Sequence, residues 1–556
     1  MTLLAKKRLQ GKLRPEEMAG PSTNTPRSGF PVGSFLAPVL IFAVIFLHLY
    51  GLEQIPPGIY VDESSIGYNA YSVLQTGADE YGVHFPLYFK AFGEFKNPVF
   101  IYSLVPLLHI FGLSVWTIRL GAALFGLGTA VLLGLIAMEG VGGRGAWAAG
   151  FILGGLVPWL FTLSRVAFEV ISFPFFITLG WWCWHRAIKS NSLPWFLLSW
   201  SAWGMSIFTY STARMMTPVL VLALVVCYFR ELGSSRVRCL IGSCPFALSV
   251  AFLLSWSVQN PGSLTARFDE ISIWKDNPGI FTSMVRFCAN YLTYLSPKFL
   301  FLRGDPNLRH HTGQGGELFL VTFPLLLPGI IYAWQNRRRA LERFALLGFL
   351  LFPLAASFTE DPYHALRTAN AVPFVILLII WGFRQSWEWW RGQRALVLLY
   401  VAVAVLEIGG FYFDYFSSYP NRARNWFNAG LPQVLKLAFE KKRSDLYYSP
   451  LVFRDENFGV NQPYIQFLFF GALDPTLYQE GGLAAFHIYP YRNGLPLSHG
   501  SILLLKDAEE LFAANSRSLI LHSPDLPPSI SEPAGQVAVS PGSIPKPPSY
   551  LLFRIP

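Results

Sequence analysis

Long apolar runs separated by short polar joints fill the chain from residue 35 to residue 413. A helix needs roughly 20 mostly apolar residues to cross a bilayer. Such runs fall at about 35–52, 116–138, 146–162, 171–188, 193–210, 215–230, 238–257, 317–335, 343–357, 370–386 and 395–413, and they predict eleven membrane spans. A further run, 98–113 (PVFIYSLVPLLHIFGL), is short and contains Pro106 and His109. Its placement follows from charge. If it does not cross, the loops with Arg144, Arg186 and Lys189, Arg230, Arg236 and Arg238, Arg337 to Arg339 and Arg343, and Arg384, Arg391 and Arg394 share a side with the basic N-terminus. If it crosses, they all face outward, against the positive-inside rule. The run is therefore expected to lie along, or dip into, the outer interface.

This topology leaves five loops outside: 53–115, about 163–170, 211–214, the long 258–316 and 358–369. The tail 414–556 joins them and has a different texture. DLYYSPLVF (445–453) and SYLLFRIP (549–556) read as strands, and 502–522 as strand, helix, strand. Residues 421–443 read as one helix with a basic end, Lys441, Lys442 and Arg443, and 524–548 as a Pro/Ser-rich loop. The expected architecture is a polytopic α-helical domain over 35–413, with interfacial helices in its first outer loop, and a small extracytoplasmic α/β domain over 414–556. Residues 1–34 are polar and basic and read as a partly disordered cytoplasmic tail, not as a cleaved signal.

Composition agrees with a membrane protein. Only 14% of the 556 residues are charged and mean hydropathy is +0.39, whereas soluble domains carry about 25% charged residues. The formal charge of +10 sits mostly in the short inner loops, so it marks topology and not a nucleic-acid surface. Cys183, Cys227, Cys239 and Cys244 lie in or beside apolar runs and read as small hydrophobes; Cys288 stands in the long outer loop. No disulfide framework, CxxC site, P-loop, GxGxxG or internal repeat is visible.

The polar candidates lie in the outer loops. Asp62 and Glu63 open a helical pattern with Ile66, Ala70, Val73 and Leu74 on one face, an amphipathic helix whose acids either cap it or do chemistry. Glu94 and Lys96, in GEFKNP, are either an interfacial anchor or a cation set for a lipid phosphate. Arg165 and Glu169 share SRVAFE, where a local ion pair is the plain reading. Arg214 and Arg367 are further lone outer arginines, and a guanidinium suits a phosphate. His310 and His311 could hold a divalent metal ion with Glu94, although no HxxxH spacing supports it.

PPGIYVDESSIGYNAYSVLQTG, FKNPVFIY, SRVAFEVISFP, YSTARMMTP and LRTANAVPF together resemble, in order and spacing, the C-type (GT-C) membrane glycosyltransferases, specifically relatives of dolichyl-phosphate-mannose protein mannosyltransferases and aminoarabinose transferases. The resemblance spans roughly residues 35–390. It implies that a sugar passes from a polyprenyl-phosphate carrier to an acceptor hydroxyl on a glycan, lipid or protein, usually with inversion. It implies Asp62 as general base, Glu169 as a supporting acid, and Lys96, Arg165, Arg214 and Arg367 as cations for the leaving phosphate. Two departures stand out. The aminoarabinose transferases have Glu-Lys-Pro contiguous, where this chain has Glu94-Phe95-Lys96-Asn97-Pro98, and Glu169 stands where relatives often carry Asp. A flippase for lipid-linked sugars and a non-catalytic envelope scaffold are the competing readings. Transporters keep ionisable residues near the bilayer midplane, and the expected spans here are nearly free of charge.

Overall fold

A computed structural model describes residues 36–390, 392–441, 444–449, 463–490, 502–506 and 550–554; the basic segment 1–34, the helix expected after residue 506 and the Pro/Ser-rich stretch 524–548 lie outside them. The chain enters through α1 (Leu36–Leu49). A long excursion follows, with α2 (Val61–Thr76), the hairpin strands β1 (Phe89–Ala91) and β2 (Glu94–Lys96), and α3 (Pro98–Phe111). Next come α4 (Val115–Val141), α5 (Arg144–Leu156), α6 (Pro158–Leu163), α7 (Ser172–Ser190), α8 (Leu193–Ser206), α9 (Ala213–Leu232), α10 (Arg236–Gly242) and α11 (Cys244–Gln259). The short α12 (Ala266–Ile271) and the amphipathic α13 (Ile280–Leu295) fill the long loop. α14 (Phe323–Gln335), α15 (Ala340–Leu351), α16 (Leu354–Ser357), α17 (Val372–Trp390) and α18 (Arg394–Ser417) complete the apolar part.

The eleven expected spans fall in helical regions, three of them (146–162, 238–257 and 343–357) on pairs of shorter helices. Among the described residues, five helical stretches are long and apolar enough to cross a membrane: Val115–Val141, Ala213–Gly242, Ala340–Ser357, Leu366–Trp390 and Arg394–Ser417. The others are shorter or less apolar. α3 has 14 residues, about 21 Å of helix against a hydrocarbon core of about 30 Å. It packs against α2 and α4 and buries Phe100, Ile101, Leu104 and Leu108. Small residues let helices close up. A side chain at Gly329 of α14 would strike the Leu378 carbonyl of α17, and one at Gly382 of α17 would strike the Leu325 carbonyl. Such close backbone approach is how helices associate where lipid replaces water.

The tail contains α19 (Tyr419–Ala423), α20 (Leu431–Lys441), α21 (Pro463–Gly471) and α22 (Pro475–Gly481). With them is a mixed four-stranded sheet of β3 (Leu446–Tyr448), β4 (Ile488–Pro490), β5 (Ile502–Lys506) and β6 (Tyr550–Arg554), in the order β4-β3-β5-β6. β3 runs parallel to β4 and β5, and β6 is antiparallel to β5. The single helix expected over 421–443 is broken: Asn428 and Gly430 take positive φ (50° and 91°) between α19 and α20.

The largest departure from the sequence reading concerns α2. It is not an interfacial helix with one wet face. Glu63, Ser64, Ser65, Tyr68, Asn69 and Ser72 are all buried, because α3 covers one side and α21 the other. Ser64 Oγ donates to Gln466 Oε1 at 2.9 Å and the Tyr68 hydroxyl to the Leu473 carbonyl at 3.0 Å. Gly67 allows the contact, since a Cβ there would overlap the Phe469 ring.

Candidate active site

α2 starts where Glu63 Oε2 accepts the Tyr60 N–H at 3.1 Å and stops at Gly77, whose φ of 73° closes the last turn. Asp62 thus stands in the first turn. Facing it is the β1–β2 hairpin. Its two-residue turn, Phe92-Gly93, has positive φ at both positions (55° and 83°), the geometry of a type I′ turn. Alternation along β2 puts Glu94 and Lys96 on one face. Lys96 Nζ donates to Asp62 Oδ1 at 2.9 Å and lies 3.8 Å from Glu94. Lys96 is almost wholly buried while the Asp62 side chain keeps 30% of its surface. Burial opposes the lysine's charge, but Asp62, Glu94 and Glu169 outweigh it and push its pKa up. No donor reaches Asp62 Oδ2 among the described residues.

Asn97, which separates lysine from proline, has a use that the sequence did not reveal. Its backbone N–H and its Nδ2 both donate to Glu169, each at 2.7 Å. The first and second loops are thereby tied together. Burial pushes the Glu169 carboxyl up to about 7, with Lys96 and the Asn97 bonds pulling the other way. Arg214 Nη2 lies 3.5 Å from Asn97 Oδ1, while Nη1 donates to the Leu264 carbonyl at 2.8 Å. Arg367 donates to Thr359 Oγ1 at 2.7 Å and pairs with Asp361 at 3.2 Å. Tyr210, also unforeseen, lies within electrostatic reach of Arg367, Glu169, Glu94 and Asp62. Asp62, Lys96, Glu169 and Arg214 therefore converge, while Arg367 is engaged by Thr359 and Asp361.

Two expected site residues do not. Glu63 has no exposed surface. Its oxygens accept from Arg119 Nε and Nη2 (2.9 and 3.0 Å), the Ala167 N–H (3.0 Å) and the Tyr60 N–H, which removes it from any contact with a substrate. Arg165 is equally enclosed. It donates to the carbonyls of Leu47, His48 and Ile55 and sits over the Phe161, Tyr415 and Phe416 rings. A guanidinium spent on carbonyls that end α1 is a strut, not a phosphate ligand.

The expected metal set also changes. His311 Nδ1 accepts the Gly313 N–H and Nε2 meets the Gly316 carbonyl, and Glu94 faces Lys96 and Arg267. Among the described residues the grouping with metal-ligand geometry is Asp305, His310 and His364. It adjoins the site: His310 packs edge-on to Phe168, next to Glu169, and Arg309 stacks 4.0 Å from the Tyr60 ring.

Residues 96–256 match the family model for dolichyl-phosphate-mannose-protein mannosyltransferase. Comparison with curated proteins finds no match. Among solved structures, ArnT from Cupriavidus metallidurans bound to undecaprenyl phosphate superposes with a TM-score of 0.52 at 13% identity, covering 93% of this chain and 97% of ArnT. The apo state of ArnT gives 0.51 at 15% identity, covering 87% and 95%. The archaeal oligosaccharyltransferase AglB from Archaeoglobus fulgidus, in complex with an inhibitory peptide and a dolichol-phosphate, gives 0.47 at 10% identity, covering 85% and 69%. The resemblance met in the sequence is borne out: the chain has the fold of a GT-C membrane glycosyltransferase, and its segment 96–256 carries the dolichyl-phosphate-mannose-protein mannosyltransferase pattern.

Proposed function

We propose that this protein transfers a sugar from a polyprenyl-phosphate-linked donor to an acceptor hydroxyl, with Asp62 as general base and inversion at the anomeric carbon. The observation that carries the reading is the Asp62–Lys96 pair at 2.9 Å, beside Glu169 and Arg214, which both meet Asn97. In the reaction the acceptor O–H gives its proton to Asp62 Oδ2 as its oxygen bonds to the anomeric carbon. The bond from that carbon to the phosphate oxygen breaks, and polyprenyl phosphate leaves with the electron pair. A positioned carboxylate contributes roughly 10²–10⁴-fold to such a step. Lys96, Arg214 and Arg367 supply fixed positive charge where the leaving phosphate develops its own.

The chemistry belongs to the extracytoplasmic face of the plasma or inner membrane, with the N-terminus cytoplasmic and the tail outside. The charge asymmetry of the loops and the 14-residue length of α3 support that orientation. The test is Asp62→Asn in purified protein, given polyprenyl-phosphate hexoses and pentoses with envelope extract as acceptor, reading release of free polyprenyl phosphate by mass spectrometry. Release should fall by at least about 100-fold with donor binding and melting temperature kept. Turnover at the wild-type rate in the variant sinks the general-base role.

A further inference from the structure

The stretch GDPNLRHH (304–311) has no part in the transfer step just described, yet it builds a cluster. Asp305, His310 and His364 each bring one ligand-capable atom to within 4.8 Å of the other two. The carboxylate is set in advance: Oδ1 accepts the Asn307 N–H and Oδ2 the Ala365 N–H, both at 2.8 Å. Oδ2 also meets His310 Nδ1 at 2.9 Å. The two imidazole rings lie 4.9 Å apart, tilted by 34°. His364 Nδ1 is buried and has no hydrogen-bond partner among the described residues. A buried polar atom without a partner is unfavourable, so this nitrogen is the group in the cluster that a ligand would relieve.

We propose that Asp305, His310 and His364 bind one divalent transition-metal ion of the zinc class. Two imidazoles and one carboxylate are a borderline donor set. Calcium and magnesium, which take shells of oxygen, fit it poorly. Ligand atoms about 2.0–2.2 Å from a tetrahedral ion lie about 3.3–3.5 Å from one another. The 2.9 Å between Asp305 Oδ2 and His310 Nδ1 is already close to one edge of that figure, and ring rotation of His364 closes the rest. Three protein ligands leave a fourth position.

The test uses full-length protein in detergent, stripped with a chelator, dialysed and titrated with Co²⁺ alone while d–d absorption is followed, with Zn²⁺ content read by mass spectrometry in parallel. The expected result is uptake of about one equivalent per chain with a tetrahedral Co²⁺ spectrum. His364→Asn and His310→Asn should each weaken uptake at least about tenfold, while Glu94→Gln leaves it unchanged. Because metal content is read without donor or acceptor, a negative result leaves the glycosyl-transfer reading intact. Wild-type protein that takes up no ion, or His364→Asn protein that binds as tightly as wild type, overturns the proposal.

Discussion

Replacing Glu169 by Gln isolates what the contact between the first two loops does. The carboxylate accepts two N–H groups of one residue, the Asn97 backbone and side chain, both at 2.7 Å. Gln can accept only one of them; its amide NH₂ would face the other donor. A hydrogen bond to a charged group contributes about 1.5–3 kcal/mol, so the loss corresponds to about 10–150-fold if it is felt in the transition state. Asn97 follows Lys96 directly, and a displaced Lys96 slackens its grip on Asp62. The same geometry fixes a pH dependence. The Glu169 carboxyl is pushed up to about 7 from 4.5, about 3 kcal/mol against its ionised form. Yet the two Asn97 bonds require both oxygens as acceptors. As pH falls through about 7 the group protonates, one acceptor becomes a donor, and the tie opens. The kcat/KM profile of the wild type should therefore drop on its acid side near pH 7. Glu169→Gln should be slower and lack that limb. An unchanged rate, or an acid limb that persists in the variant, would refute the link between this tie and turnover.

Other predictions follow from the same contacts. Arg165→Ala removes a buried charge but strands the Leu47, His48 and Ile55 carbonyls; it should lower the melting temperature by the equivalent of about 3–5 kcal/mol, while Arg367→Ala should weaken donor binding with a smaller change in melting. Gly382→Leu should prevent α14 and α17 from closing and yield little folded protein, read by fluorescence-detected size exclusion. Glu80 is buried beside Asn69 and Tyr464, and burial, with Asp79 adding to it, pushes its carboxyl up to about 8. Its folded-state pKa is raised, so packing of α21 on the first loop is firmest below about pH 4.5 and weakens as pH rises to about 8. Proteolysis of the tail should quicken over that range, and Glu80→Gln should flatten the dependence.

The apolar runs were legible because length and composition alone set where a helix can sit in lipid. That Asp62, Lys96 and Glu169 lie together was legible because resemblance to a family pointed to their loops. The roles of Glu63 and Arg165 were not. Whether an acid or a guanidinium faces a cavity or a carbonyl depends on partners as distant as Arg119 and Tyr415, and no local pattern encodes that. The same holds for α2, whose polar face looked wet because its cover, α21, begins about 400 residues later. His364 carries no motif and meets His310 only through the fold. The break in the tail helix is different. Asn428 and Gly430 are turn formers in plain view, and the continuous reading underweighted them.

Because α21 covers α2, the order of synthesis matters. The helix that carries Asp62 leaves the ribosome early and enters the membrane system with Ser64 and Tyr68 uncovered. Their partners, Gln466 and Leu473 among them, are made only after every apolar helix from α4 to α18 has been inserted. A nascent or truncated chain thus holds all its site residues but not the surface that fixes their helix, and so should not turn over donor lipid before the tail arrives. Synthesis of α21 thereby becomes the step after which the helix carrying Asp62 is fixed in place.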